Sequence, residues 1–324
     1  MVKSFLHSTI LKRWNSFEPS FTEGVCYIHQ KYFFMSIIIE NENLRVAIQL
    51  KGAELDSIVH KQTQLEYLWQ GDAAFWGKKS PILFPIVGTL KDNSYSYEGK
   101  NYNLPRHGFA RDRVFVVEKQ TADAATFLLV SDAESLKVYP FSFEFRLHYA
   151  LKDNALSVSY DVKNTTNGNM YFSVGGHPAF RLPLVENTNY TDYFLELNEI
   201  ETSGRYPLSK DGLLELITNP FLENTNKILL HPSLFYEDAV VLKHLKSNSM
   251  AILSHKTPHG LRMTFDGFPY FGIWAAKDAP FVCLEPWCGI ADSVNTTQDL
   301  TEKEGINKLE NGERFERTWT IELF

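Results

Sequence analysis

The chain has 324 residues, a net charge of −7, 24 Phe and 15 Tyr. That length suits one large all-β domain or two smaller ones, and the aromatic content favours strands over helical bundles. The acidic balance speaks against a nucleic-acid partner, and no apolar run approaches the ~20 residues of a membrane helix. The three cysteines, Cys26, Cys283 and Cys288, are too sparse for a disulfide framework and point to a reducing, cytoplasmic setting.

The first segment, "MVKSFLHSTILKRWNSF", is basic and carries no acid until Glu18, a loose match to a transit peptide. Met35 opens "MSIIIENENLRVAIQL", which reads as a domain start. The expectation is therefore an extension over 1–34 without a catalytic role and a single domain over 35–324. Hairpins follow from there. "IIIENENLRVAIQL" turns near Asn41–Asn43, and "YSYEGKNYNL" turns at Glu98-Gly99-Lys100. In "FSFEFRLHYAL", Phe141, Phe143, Phe145, Leu147, Tyr149 and Leu151 share one face; Leu156, Val158, Tyr160 and Val162 alternate again after "KDN". Strict alternation of this kind predicts an antiparallel pair with one buried face. "MAILSHKTPHGLRMTF" turns through Pro258 and Gly260, and the C-terminus reads as a hairpin around Asn311-Gly312. "DAAFWGKKS" suits one helical turn, and "TQDLTEKEG" a short helix capped by Thr297 and ended by Gly305. Hairpins from end to end, without βαβ alternation, predict a large antiparallel β-sandwich.

Three segments break the alternation and carry residues that are costly to place. "LPRHGFARDR" holds His107 among Arg106, Arg111 and Arg113; it suits sugar hydroxyls or a phosphate, and equally a solvated basic loop. "GGHPAF" sets His177 between two glycines and Pro178 at the end of an apolar strand, either for a substrate or as a turn histidine. "CLEPWCG" places Glu285 in an apolar run, where burial would raise its pKa towards that of a useful base; a structural strand-end role is the alternative. Trp287 offers a flat face to a sugar ring. His148 falls on a polar strand face and His231 in a turn. Pro258 separates His255 from His259 against the helix a zinc pair needs. Cys283 and Cys288 lack zinc-ligand spacing and no second pair answers them, so no zinc site is expected. No nucleophile elbow, phosphate loop or dinucleotide fingerprint occurs.

Taken together, "SPILFPIVGTLKDNSYSYEGKNYNLPRHGFARD", "GGHPAF" and "LEPWCGIAD" resemble the aldose 1-epimerase (galactose mutarotase) family, with "ENENLRVAIQLKGAELDSI" closest to its LacX-like branch. The resemblance covers about residues 35–324. It implies the galactose mutarotase-like supersandwich and a cofactor-free isomerase that interconverts hexose anomers. It also implies that Glu285 takes the C1 hydroxyl proton, that protonated His177 donates to the ring oxygen, and that His107 stabilises the ring oxygen and developing carbonyl. Asp238 in "YEDAVVLK" is the implied ligand of sugar hydroxyls. Where the family often has an arginine, this chain has Thr89, so Lys91 or Arg111 is expected to take that contact. The glycines before His177 then read as clearance for a sugar ring, and Pro178 as a brace. Arg106, Arg111 and Arg113 would hold a phosphate if the substrate were a hexose 6-phosphate. A non-catalytic sugar-binding module would need only Trp287 and polar loops, and a glycoside hydrolase would pair Glu285 with Asp238.

Overall fold

Phe143–Lys152 and Ala155–Asn164 pair antiparallel over their whole length, with Leu147 opposite Tyr160 and Leu151 opposite Leu156. Phe143, Phe145, Leu147, Tyr149 and Leu151 are buried, as their period-two spacing requires. The computed structural model describes residues 36–324, so the expectation for 1–34 lies outside the described residues. This hairpin lies inside a nine-stranded sheet, two strands from one edge. Its outer members are Asn219–Leu229 at one edge and Val116–Gln120 at the other.

A second, six-stranded sheet is built on Phe281–Cys288, whose eight residues are all buried. On one side it pairs with Tyr270–Trp274, and through that strand with Val240–Lys243. On the other it pairs with Val174–Gly176 and Ala179–Arg181. The two sheets meet through aromatic side chains. Phe84, which follows the strand Ile82–Leu83, stacks on Phe145 with centroids 4.5 Å apart, and within the nine-stranded sheet the Trp319 indole N–H donates to Tyr160 Oη at 2.7 Å. A Cβ on Gly176 would stand 2.8 Å from that Tyr160 oxygen, so glycine there is what lets the sheets approach. A four-stranded sheet runs from Ser36–Glu40 to Leu65–Glu66. Among the described residues no helix is long and apolar enough to cross a membrane.

Three local expectations change. Asn311-Gly312 does not close a hairpin: Asn307–Leu309 pairs with Met170–Phe172, whereas Arg314–Leu323 pairs with Ala155–Asn164 and Leu261–Thr264. The "TQDLTEKEG" helix is a single 3₁₀ turn, Leu300–Glu302, whose cap is Asp299, accepting the Thr301 N–H, and not Thr297. The α-helix Ala133–Val138 is an addition. Asp132 and Ser135 cap it reciprocally, a signal too short to show periodicity.

Candidate active site

Val174–Gly176 and Ala179–Arg181 pair with Phe281–Cys288 in one shared register, Gly175 opposite Trp287 and Ala179 opposite Cys283. His177 falls in the gap between them and is thereby the residue across from Glu285. Opposite Glu285 on its other side stands Gly272, which has no side chain to fill the space. His177 Nε2 lies 3.3 Å from Glu285 Oε2, and the two residues are 8% and 2% exposed. Trp76 stacks on the His177 ring at 4.9 Å and 28°, and Trp274 meets it edge-on at 5.6 Å.

Burial pushes the Glu285 carboxyl well above its ordinary range; the Arg106 charge opposes this, Asp238 reinforces it, and the nearby Trp287 indole weakens it slightly. Burial also drives His177 down, to about 3, against a small opposing effect of its own backbone. Both shifts disfavour charge. Burial therefore favours the neutral carboxyl and the neutral imidazole over the ion pair.

His107 is held by its own loop. Its backbone has φ 68° and Gly108 after it φ 69°; a Cβ on Gly108 would stand 2.4 Å from Phe84 O. The His107 N–H donates to Gly88 O at 2.8 Å, and the Gly88 N–H donates back to His107 Nδ1 at 3.1 Å. A ring that accepts at Nδ1 carries its proton on Nε2. Burial first, then the neighbouring His177, Arg106 and Arg111, holds its pKa well below the ordinary value. His107 is thus a fixed hydrogen-bond donor rather than a group that exchanges protons.

These side chains open onto one cavity of about 840 Å³. Its walls differ in character. Trp76, Trp274 and Trp287 supply flat apolar surface, whereas Arg106, Arg205 and Lys210 supply positive charge. A deep cleft with apolar walls and few convergent polar groups suits a small polar ligand such as a sugar.

The sequence model of the family described as Aldose 1-epimerase matches residues 35–318. The chain belongs to the aldose 1-epimerase family. It is 38% identical over 285 residues to the chromosomal protein LacX of Lactococcus lactis subsp. lactis, covering 85% of this chain and 95% of that one. It superposes on a galactose mutarotase related enzyme from Lactobacillus acidophilus with a TM-score of 0.86 at 37% identity, covering 90% of this chain and 97% of the other. A galactose mutarotase-like protein from Lactobacillus casei ATCC 334 gives 0.82 at 32%, covering 90% and 100%. The stacked sheets are accordingly the galactose mutarotase sandwich, and the chain is an isomerase of the aldose 1-epimerase class acting on a hexose.

The other residues expected in this aldose 1-epimerase's site divide. Asp238, Arg106, Arg111 and Trp287 line the cavity with the three central residues. Asp238, at φ 80°, accepts the Ala239 N–H through Oδ1. Arg111 donates from Nη2 to Arg106 O at 2.8 Å. Lys91 is not brought there: its ammonium donates to Val294 O at 3.1 Å, and its N–H to Asp292 Oδ2. Nor do the glycines clear a sugar. A Cβ on Gly175 would stand 2.6 Å from the Trp287 ring, and one on Gly176 2.8 Å from Tyr160 Oη, so the first makes room for the indole and the second for the facing sheet.

Sequence reasoning missed two features. Trp76 and Trp274 flank His177 from a loop and a strand end, with only their residue type as a signal. Asp292 and Lys303 form a buried ion pair at 2.6 Å. Asp292 also donates its N–H to Thr89 O, and its carbonyl accepts the Leu214 N–H. This pair ties together three segments that contribute Gly88, Leu214 and Ala291 to the cavity wall. Asp292 closes the "LEPWCGIAD" motif, but nothing in that motif points to Lys303.

Proposed function

We propose that Glu285 and His177 are the acid–base pair of hexose mutarotation and that His107 is the donor that steadies the reacting oxygens. The observation that carries this is the 3.3 Å approach of His177 Nε2 to Glu285 Oε2 inside the cavity, with both groups pushed by burial towards their neutral forms. Transfer of one proton from Glu285 to His177 gives the reactive tautomer. The C1 hydroxyl O–H bond then breaks, its proton passing to Glu285. The C1–O5 bond breaks, its electron pair stays on the ring oxygen, and that oxygen takes the proton from His177. The result is the open aldehyde beside a neutral pair, the state the buried site favours. Rotation about C1–C2 and the reverse transfers close the ring on the other face. Each positioned transfer contributes about 10²–10⁴-fold. Asp238 and the arginines would orient the remaining hydroxyls.

The test follows the optical rotation of fresh α-glucose and α-galactose. His177→Asn and Glu285→Gln are each expected to slow exchange by about 10²-fold or more. Near-wild-type rates in both would remove the pair from the mechanism. Sugar binding without faster anomer exchange would instead indicate a binding module.

A phosphorylated hexose is the second reading. It is supported by Arg106, whose guanidinium has no hydrogen bond or ion pair among the described residues and which lines the cavity with Arg111, Arg205 and Lys210. Arg113 pairs with Asp132 instead. Turnover of glucose against glucose 6-phosphate separates the two. The unpaired thiols Cys283 and Cys288 support a reducing, cytoplasmic setting.

A further inference from the structure

Cys283 stands two residues before Glu285 on the Phe281–Cys288 strand, so its thiol leaves the same face of the sheet. One ligand atom from each of His177, Cys283 and Glu285 lies within 4.8 Å of the other two. All three residues are buried, and His177 Nδ1 has no hydrogen-bond partner. Cys283 is a free thiol that the proton transfers above do not use. Cys288, an odd number of residues away, leaves the other face and directs its sulfur to Gly267 O.

We propose that His177, Cys283 and Glu285 form an inhibitory site for a thiophilic divalent cation, with zinc as the type case. Imidazole, thiolate and carboxylate are all zinc ligands, and three protein ligands with one open position make a chemically complete set. The cavity reached by His177 and Glu285 supplies both the entry path and room for a fourth, water ligand. Zinc bonds of ~2.0–2.3 Å place ligand atoms roughly 3.3–3.8 Å apart in a tetrahedron. The trio therefore needs only to draw in by about 1 Å, within reach of side-chain rotation. On binding, the Cys283 S–H and Glu285 O–H bonds break and both protons go to solvent. Sulfur, carboxylate oxygen and imidazole nitrogen then donate electron pairs to the ion, and nothing is oxidised or reduced. The occupied carboxylate no longer accepts the C1 hydroxyl proton, so ring opening stops. The inhibitory effect rests on the roles assigned above to Glu285 and His177, whereas the binding does not.

The experiment uses the full chain in buffer free of thiols and chelators. Zinc is expected to inhibit mutarotation at micromolar concentration, with full recovery on adding a chelator. Cys283→Ser is expected to keep the basal rate and to require roughly tenfold more zinc or higher, the loss of one ligand. Cobalt is the second probe: wild type should show a thiolate-to-cobalt charge-transfer band that zinc displaces, Cys288→Ser should keep it, and Cys283→Ser should lose it. Absence of the band from wild type, its persistence in Cys283→Ser, or equal zinc sensitivity of the two proteins would overturn the proposal. The wild-type band stands even where the serine variant fails to fold. It also stands if the chain shows no mutarotation, which separates failure of the metal site from failure of the catalytic reading.

Discussion

Two carboxylates lie in the middle of strands, one on each large sheet, and the protein treats them in opposite ways. Asp161 is 6% exposed and Glu285 2%. Arg314 Nη1 donates to both Asp161 oxygens, at 2.8 and 2.6 Å, and His148 stands 3.8 Å away. Burial pushes Asp161 up, but the bonds from His148 and Arg314 outweigh it, and the group is held below its ordinary value. Glu285 has no cation in contact, only a neutral imidazole, and burial wins. Burial by itself therefore does not mark a functional carboxylate. Of this pair, the acid with a contacting cation is part of the scaffold, and the one that faces only an imidazole is left able to gain and lose a proton.

The largest effect that tests this contrast is on rate. Glu285→Gln should slow mutarotation by about 10³-fold, some 4 kcal/mol of barrier, yet melt no lower than wild type, because the amide resembles the protonated carboxyl. Asp292→Ala carries the logic to another buried acid. It leaves the Lys303 ammonium, 3% exposed, without its partner, and should cost about 3–5 kcal/mol of stability in a denaturant titration. Asp161→Asn should cost less, roughly 1–3 kcal/mol, because the half-exposed Arg314 can return to water, and should leave the mutarotation rate within about threefold of wild type. A large rate loss in Asp161→Asn, or none in Glu285→Gln, would break the comparison.

The smallest effect, and the sharpest, is in how stability depends on pH. Native Glu285 keeps a proton that the unfolded chain releases above its ordinary value of 4.5, so this group costs stability as pH rises. The stability of Glu285→Gln should gain on wild type as pH rises above that value, at most about 1.4 kcal/mol per unit. Asp161 runs the other way. Its contribution is present above its ordinary value of 3.8 and is lost as pH falls through the lower native value, so the deficit of Asp161→Asn should shrink below about pH 4. Parallel pH curves for the two variants would show that their environments do not differ as described.

Where a pattern was local, the sequence was readable. The Glu98-Gly99 turn has φ of 49° and 71°, and the Phe143–Asn164 pair lies in the expected register. Asn311-Gly312 misled because a turn dipeptide specifies a reversal without saying which strand the chain pairs with next. Lys91 misled in a similar way, since proximity along the chain to Thr89 says nothing about which carbonyl an ammonium reaches. The glycines before His177 were recognised as making space, but the occupants, the Trp287 indole beside Gly175 and Tyr160 beside Gly176, come from other strands.

By itself the sequence determined the strand faces, the all-β class and the three segments that supply His107, His177 and Glu285, because alternation and turn chemistry act over a few residues. Tertiary structure decided what those residues are. Pairing of distant strands sets His177 across from Glu285, the Gly88 loop fixes the His107 tautomer, and exclusion of water pushes the carboxyl towards its neutral form. It also places Cys283 within reach of the pair. Protonation and ligand geometry depend on desolvation and on neighbours far apart in the chain, and neither is written in local spacing.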